Sequence, residues 1–254
     1  MCKPTHLYKY VSFTEQSLRN LKERVIYFGS PLDFNDPYDC AVSPLIESPS
    51  DTEVIKLRDE PINLSNMDSE YIKNLKQKDL NAVRDVLLST AKLGLENEIS
   101  KFLAQRGISC FSERNDDLLM WAQYGGIYKG FCLEFSSHAE VLSKARKVRY
   151  SSTPPSISVR SLLLDSELSI VDTLFCTKSK DWAHEREWRA GHAKAGSKMI
   201  YNPEDLKGVY FGSEIDQHSI EIVRLIVESE HENVRFWKGY RSTIEFRVLF
   251  HEVT

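Results

Sequence analysis

The sequence lacks the patterns that would indicate a disulfide framework or a metal site. Its five cysteines are odd in number and irregularly spaced, which is not the pattern of a disulfide-stabilised secreted domain. No CxxC, HExxH or HxxxH pattern is present, which argues against a zinc site. We therefore expect no metal, and the cysteine usage fits the reducing cytoplasm of a bacterial-type cell.

Long hydrophobic runs are missing as well. No stretch approaches the roughly 18 apolar residues that a membrane span needs, and the first residues, MCKPTHLYKY, contain no apolar core like that of a signal peptide. The 33 basic and 37 acidic side chains give a net charge of -4. This balance disfavours a generally basic nucleic-acid binder, although a local basic patch would be compatible with it. We expect a globular cytoplasmic protein without a membrane segment.

Signatures of the common enzyme classes are also absent. The chain has no GxSxG motif, no phosphate-binding GxxxxGK motif, no GxGxxG motif and no set of protein-kinase motifs,. A catalytic or binding function must therefore be sought in polar and aromatic residues grouped near the ends of predicted strands.

Hydrophobic periodicity predicts an α+β fold. Leu7–Val11 and Val25–Phe28 are strand-like runs, and they flank a short amphipathic helix over Glu15–Arg24. The composition then becomes polar, and the spacing of the apolar residues becomes helical. We therefore predict a single domain over residues 1–254 that carries an α-helical insert at residues 47–106.

Further elements are predicted along the remaining chain. Strands are expected at Ile108–Phe111 and Gly130–Phe135, and helices at Ile157–Phe175 and Gln217–Glu230. Apolar residues alternate with polar ones near the end of the chain, which predicts a final strand over Ile244–His251.

Two polar clusters lie near the start of the chain. Lys9 stands between Tyr8 and Tyr10 on the first predicted strand. Asn35 and Asp36 lie in a loop rich in turn-forming residues, just before a proline. Asp and Asn in such a position ordinarily shape a turn, and for this pair we weigh that structural role equally with a role in ligand binding.

A third cluster is the segment WAHEREWR, residues 182–189. If it forms a strand, Glu185, Glu187 and Arg189 share one face. Two acids and an arginine on one face can be a surface ion-pair ladder that contributes little to stability. The flanking tryptophans instead favour a partly enclosed site, in which a carboxylate can stabilise a cation.

Trp121 and Tyr124 form a fourth group, because residues three apart lie on one side of a helix. Core packing is the expected role of Trp121. Tyr124 is followed by two glycines and is the better candidate to line a pocket.

Seven motifs together resemble a bacterial family, family 2971 of domains of unknown function. In chain order they are LYKY, IYFGSPLDFNDPYD, ISCFSE, LLMWAQYGGIYKGFCLEF, KVRY, WAHEREWR and LKGVYFG. The resemblance extends over most of the chain from Leu7 to Gly212. Because that family has no settled activity, the resemblance informs on the fold more than on the reaction.

The order of elements is also similar to the ADP-ribosyltransferase superfamily, which includes DNA-modifying toxins. Those enzymes carry His or Arg on a first strand, Ser, Thr or Tyr on a second strand, and Glu on a late strand. By this resemblance Lys9, Ser30 and Glu187 take the three positions, with Glu185 two residues before the last. Lys9 departs from the pattern, although an ammonium group can also donate to a ribose hydroxyl. The resemblance implies a mixed or antiparallel sheet core and NAD as the cofactor.

The chemistry of that reaction explains the residue types. Cleavage of the nicotinamide–ribose bond develops positive charge on the sugar, which a preorganised carboxylate such as Glu187 stabilises. Aromatic rings such as Tyr27, Tyr124 or Trp182 can stack on the leaving ring. The residues expected to bind the cofactor are Tyr8, Tyr10, Tyr27, Asn35, Asp36, Trp121, Tyr124 and Arg189.

Three functions stay open at this point. The first is an NAD-dependent ADP-ribosyltransferase or NAD glycohydrolase, acting as an intracellular toxin or phage-defence effector on a nucleic-acid or protein acceptor, with an antitoxin or defence-system partner. The second is a non-catalytic module that binds a nucleotide or a partner on the same fold. The third is a magnesium-dependent nuclease that would use the carboxylates Asp36, Asp39, Glu185 and Glu187.

Overall fold

The computed structural model describes residues 3–40, 44–59, 77–164 and 173–253. The chain divides into two compact units. Unit 1 comprises Met1–Asp33, Gln105–Val148 and Lys180–Thr254, and unit 2 comprises Phe34–Ala104 and Arg149–Ser179. The described residues of the helical insert that we placed at residues 47–106 fall within unit 2 except for the last two, and residues 60–76 lie outside the described residues. One domain over residues 1–254 stays a prediction, because a compact unit and an independently folding domain are different properties.

Short strands dominate the described part of the chain. Fourteen lie within it, and in chain order they are β1 His6–Val11, β2 Val25–Phe28, β3 Leu45–Glu47, β4 Gly107–Ser112, β5 Phe131–Ser136, β6 Arg146–Lys147, β7 Arg149–Ser151, β8 Ser156–Ser158, β9 Thr177–Ser179, β10 Glu187–His192, β11 Ser197–Ile200, β12 Leu206–Phe211, β13 Arg235–Arg241 and β14 Val248–Val253.

Six α-helices with assigned bounds accompany these strands, and residues 173–175 are helical as well. The six are α1 Glu15–Lys22, α2 Asp51–Asp59, α3 Leu80–Gln105, α4 Leu118–Gln123, α5 Val159–Leu164 and α6 Gln217–Glu230. Thr14 begins α1 as predicted, because its side chain accepts a hydrogen bond from the Ser17 backbone N–H at 3.2 Å,. No helix in these segments is both long enough and apolar enough to cross a membrane.

Eight strands of unit 1 form one sheet, in the order β14-β13-β12-β5-β1-β4-β10-β6. Neighbouring strands are antiparallel except for the parallel pair β12 and β13. β2 and β11 form a separate two-stranded antiparallel sheet in the same unit. The predicted α+β class is confirmed, with a large and mostly antiparallel sheet at its centre.

The two faces of the large sheet carry different cores. On one face Leu7 and Leu133 pack with Val223 of α6 in the main hydrophobic core of unit 1. The other face carries a smaller core that includes Trp121 of α4 and Tyr10. Since successive strand residues alternate between faces, both faces of the central strands are largely covered.

Unit 2 has a core of its own, built mainly by helices. Val54 on α2 and Val83 and Leu87 on α3 are buried and pack with Val159, the first residue of α5. Two parallel two-stranded sheets, β3 with β8 and β7 with β9, belong to this unit. The helical periodicity found in the sequence therefore corresponds to a packed helical core.

Two predicted elements are wrong in part. The helix expected from Ile157 begins as strand β8 and becomes helical at Val159, and residues 165–172 lie outside the described residues. The strand expected from Ile244 begins only at Val248. Ile244 is 86% and Phe246 97% exposed, because residues 242–247 form the turn between β13 and β14. The apolar residues that alternate at Ile244 and Phe246 therefore do not form a buried strand face.

Candidate functional site

Four polar side chains lie in one row across the central strands of the large sheet. Cross-strand register pairs Glu134 with Tyr8, Tyr8 with Ser112, and Ser112 with Glu187. Because directly paired residues point to the same face, all four side chains share one face of the sheet. The row spans three gaps between strands, roughly 14 Å in total. Its two ends, at Glu187 and at Glu134, are therefore described as separate clusters.

The Glu187 end is a buried ion pair. Arg189 Nε donates to Glu187 Oε1 at 2.7 Å, and Arg189 Nη2 donates to Oε2 at 2.9 Å. The two side chains are only 4% and 5% exposed. A bidentate contact with an arginine favours the charged form of the carboxylate and fixes its orientation.

A thiol lies near Glu187. Cys110 is opposite Arg189 in the register of β4 and β10, and its side chain therefore points to the same face of the sheet as Glu187. Burial, followed by the charge of Glu187, raises the pKa of the Cys110 thiol well above its ordinary value. The thiol is therefore protonated and is not a nucleophile.

Glu185 does not lie on the strand with Glu187, which corrects the sequence-based prediction. It ends a 3₁₀ turn over Lys180–Glu185, and strand β10 begins only at Glu187. Arg186, between them, adopts φ +45°, a left-handed conformation that breaks the alternation of a strand. The sequence gives no signal of this break, because arginine rarely adopts positive φ.

The 3₁₀ turn is nevertheless fastened to the same end of the sheet. Ser112 Oγ, fully buried, donates to the Glu185 carbonyl oxygen at 2.7 Å. The Tyr124 hydroxyl donates to Glu185 Oε1 at 2.8 Å. Ser112 thus links the two elements, because it bonds the Glu185 carbonyl oxygen and is paired in register with Glu187.

The Glu134 end contains a second buried carboxylate, which the sequence analysis missed. Tyr8 donates to Glu134 Oε1 at 3.3 Å and Tyr210 donates to Oε2 at 3.0 Å. Burial and the nearby carboxylate raise the pKa of both phenols. The available signal was a single acid inside the apolar strand GFCLEF, because buried acids are rarely found without a partner.

Lys9 points away from these clusters. It neighbours Tyr8 and Tyr10 in sequence and therefore lies on the opposite face of β1, the face that carries Leu7. Its ammonium donates to Ser109 Oγ at 2.7 Å and stands 4.9 Å from the centre of the Phe111 ring. Burial lowers the pKa of Lys9. The structure thus places Lys9 and Glu187 on opposite faces, whereas Tyr8 shares the Glu187 face.

Ser30 and Tyr27 are not part of the row either. Ser30 follows β2, and its hydroxyl accepts a hydrogen bond from the Leu32 backbone N–H at 3.2 Å, which is a local turn contact. Tyr27 is 43% exposed on β2. Among the described residues, neither forms a hydrogen bond or ring contact with Glu187.

Tyr10 and Trp121 belong to the smaller core on the same face as the row. Trp121 is fully buried, and its indole N–H donates to the Asn115 carbonyl oxygen at 2.7 Å. The Tyr10 ring meets it edge-on, with ring centres 5.1 Å apart. Packing is thus the structural role of Trp121, as expected from its position on the helix.

Asn35 and Asp36 belong to unit 2. The buried Asp36 accepts a hydrogen bond from the Tyr38 backbone N–H at 2.9 Å through Oδ1. Its carbonyl oxygen accepts from the Asp39 backbone N–H at 3.0 Å. Both contacts shape a turn, which was the structural alternative for this pair. Asn35 is exposed.

A metal site was the requirement of the nuclease alternative. Within the residues that the structure describes, no group of three or more His, Cys, Asp or Glu side chains is arranged to hold a metal ion. The nuclease alternative therefore gains no support from these side chains.

Comparison with known proteins adds one finding. Residues 120–190 match the model of the family described as a protein of unknown function, DUF2971. The matched segment begins at Met120 and runs through the Glu134 strand and the Glu187–Arg189 pair to Ala190, so it includes both ends of the row. Neither a curated protein nor a solved structure matches the chain significantly.

Proposed function

We propose that the protein is an NAD-dependent ADP-ribosyltransferase or NAD glycohydrolase in which Glu187 stabilises positive charge on the ribose. The observation that carries the proposal is the buried, bidentate Glu187–Arg189 pair at one end of the polar row. The resemblance of element order to the ADP-ribosyltransferase superfamily supplies the reaction class and the ADP-ribosyltransferase-like fold, and both are parts of this proposal.

The chemistry assigns each side chain a definite task. When the bond between nicotinamide and ribose breaks, the pair of bonding electrons leaves with nicotinamide, and the anomeric carbon becomes electron-poor. A charged carboxylate held in a fixed position lowers the energy of that state. Arg189 supplies the fixed position, so Glu187 needs no reorganisation during the reaction. Water or an acceptor nucleophile then forms the new bond to carbon and releases a proton.

The proposal changes two assignments that were carried over from the resemblance. Lys9 and Ser30 have no role in it, because Lys9 lies on the other face and Ser30 shapes a turn. Tyr8 takes the position on the first strand, because it shares the Glu187 face and its ring is only partly buried. In this proposal Glu185, bonded by Tyr124, lies beside the substrate, and the Glu185 carboxylate accepts a hydrogen bond from a ribose hydroxyl.

The test is NAD consumption by the wild-type protein and by Glu187→Gln. The substitution keeps the shape of the side chain and removes its charge, and we expect a loss in rate on the order of 10²–10³. The matched control is Glu113→Gln, because Glu113 is a partly exposed acid of unit 1 that bonds Lys147 and Trp188. This control should consume NAD like the wild type. Equal rates for wild type and Glu187→Gln would reject a catalytic Glu187.

A second candidate is favoured by one specific observation. Both oxygens of Glu187 accept hydrogen bonds from Arg189. A carboxylate satisfied in this way suits a rigid binding module as well as an enzyme. The module would be stabilised against heat by NAD or another nucleotide without any turnover. Nucleotide binding without NAD consumption would favour this second candidate.

The same variants also test the biological role. If the protein is a toxin or phage-defence effector, expression should arrest growth, and Glu187→Gln should restore growth at equal protein level. A transferase should also leave ADP-ribose on a nucleic-acid or protein acceptor, whereas a glycohydrolase should release it free. An antitoxin or defence-system partner should relieve the arrest caused by the wild-type protein.

A further inference from the structure

Glu134 is a buried carboxyl group without a full cationic partner among the described residues. Its side chain is 8% exposed. The tyrosine hydroxyls that bond its two oxygens are neutral donors, since burial and the carboxylate itself raise the pKa of Tyr8 and Tyr210. Among the described residues, the one basic group within 4 Å is His6, whose Nδ1 lies 3.8 Å from Oε1. A buried carboxylate without a full cationic partner is costly.

The carboxylate retains capacity to bind. An ionised carboxylate offers about four acceptor positions, and the two tyrosines use two of them. Gly208 stands beside Oε2, where a Cβ would come within 2.8 Å of that oxygen. The glycine therefore allows the carboxylate to occupy its present position on the sheet.

Aromatic rings surround this carboxylate. The rings of Tyr8 and Tyr210 meet edge-on with centres 5.9 Å apart, and Tyr210 stacks on Trp237 at 5.9 Å with an interplanar angle of 6°. The Trp237 indole nitrogen is buried and has no hydrogen-bond acceptor within the described part of the chain. Ring faces attract cations, so the rings strengthen the attraction of the carboxylate for a cation.

We propose that Glu134, Tyr8, Tyr210 and Trp237 form a binding site for an organic cation, namely an alkylammonium or guanidinium group. A single carboxylate flanked by aromatic rings suits such a group, whereas Ca²⁺ or Mg²⁺ requires several oxygen ligands. The Glu134 carboxylate lies three strand spacings, roughly 14 Å, from Glu187, and Tyr8, between the two ends of the row, takes part in both proposals.

The experiment follows the indole N–H signals of the protein by NMR during titration with tetramethylammonium or methylguanidinium at constant ionic strength. We expect a saturable shift of the Trp237 signal. The Trp188 signal is the internal control, since its indole donates to Glu113 at 2.8 Å on the other face of the sheet. No saturable shift at Trp237, or an equal shift at Trp188, would overturn the proposal.

Two variants test the role of the carboxylate. Glu134→Gln removes the charge, and the dissociation constant should rise about tenfold or more, as for the loss of a hydrogen bond to a charged group. Gly208→Ala keeps the charge but displaces Oε2, and it should also weaken binding. The Trp121 indole signal reports whether each variant is folded. If both folded variants bind like the wild type, the site is not at Glu134.

The source of the cation is settled by a further comparison. Capped lysine and arginine amides imitate the side chains of a protein partner, whereas the free amines imitate a small ligand. Tighter binding of the capped amides indicates a protein partner, and tighter binding of the free amines indicates a small molecule. NAD consumption by Glu187→Gln and cation binding by Glu134→Gln are independent measurements, so either proposal can fail alone.

Discussion

Arg189 holds both oxygens of Glu187 from two residues further along the same strand, at 2.7 and 2.9 Å. Residues two apart on a strand point to one face, so strand β10 itself brings the two side chains together. Both are almost fully removed from solvent. The pair thus differs from an exposed salt bridge, because the loss of either partner leaves an uncompensated charge in the interior.

Arg189→Ala should therefore destabilise the protein severely. We expect a loss of about 3–5 kcal/mol in the free energy of unfolding, the usual cost of breaking a buried ion pair from one side. Urea denaturation measures it. Arg19→Ala is the control, because Arg19 forms an exposed pair with Glu15 and such pairs contribute little. A similar small loss for both variants would show that Glu187 is solvated or protonated in the folded state.

Arg186→Gly should stabilise the protein. Arg186 is exposed and adopts φ +45°, which costs a non-glycine residue roughly 1–2 kcal/mol. Glycine removes most of that cost, although its own chain entropy offsets part of the gain. Arg186→Ala keeps the backbone cost and isolates the effect of losing the side chain. Thermal unfolding should rank the glycine variant above the alanine variant, and the reverse order would contradict the strained conformation.

Gly130→Ala should be strongly destabilising. A Cβ at this position would clash with the backbone carbonyl oxygen of Val11 and approach that of Gly125, and neither backbone can move cheaply. Gly191 on β10 is the matched control, because a Cβ there meets nothing within 4 Å. Gly191→Ala should be neutral or slightly stabilising. Chemical denaturation of the two variants checks the contrast, and equal stabilities would show that the approach of Val11 to Gly130 is looser than described.

Stability should fall on acidification through His231. This residue ends α6, its Nδ1 lies 3.0 Å from the Pro203 carbonyl oxygen, and burial lowers its pKa below the ordinary 6.5. The unfolded chain therefore binds the proton more tightly than the folded protein does. The contribution of neutral His231 to stability is present above pH 6.5 and is lost as pH falls through the lowered pKa of the folded state. His231→Gln should flatten the stability profile in that window. His218→Gln is the control, since His218 is 93% exposed. An unchanged stability profile for His231→Gln would show that His231 is not the origin of the pH dependence.

Part of the candidate site was accessible from the sequence. The motif WAHEREWR directed attention to Glu185, Glu187 and Arg189, and two of these share a strand face as alternation predicts. Alternation failed at Glu185 because Arg186 takes a left-handed conformation, which local pattern does not signal for arginine. Tyr124 bonds Glu185, and its expected place in a pocket stays a prediction.

The partners of Glu134 could not be predicted in the same way. Tyr210 lies 76 positions further along the chain, and the contact arises only because β12 pairs with β5. Lys9 shows the same limit. Alternation alone separates it from Tyr8 and Tyr10, but the register of β1, β4 and β10 decides which of these residues shares a face with Glu187.

The sequence by itself determined the local elements and the class of fold. Apolar periodicity, the Thr14 cap and the run of strand-forming residues are short-range properties, and they specified strands, helices and the α+β class. Only the tertiary structure decided which polar side chains meet, because strand order and register join segments that are distant in the chain. Burial decided the chemistry of those side chains, since removal from water makes the Glu187–Arg189 pair rigid and leaves the Glu134 carboxyl group without a full cationic partner among the described residues.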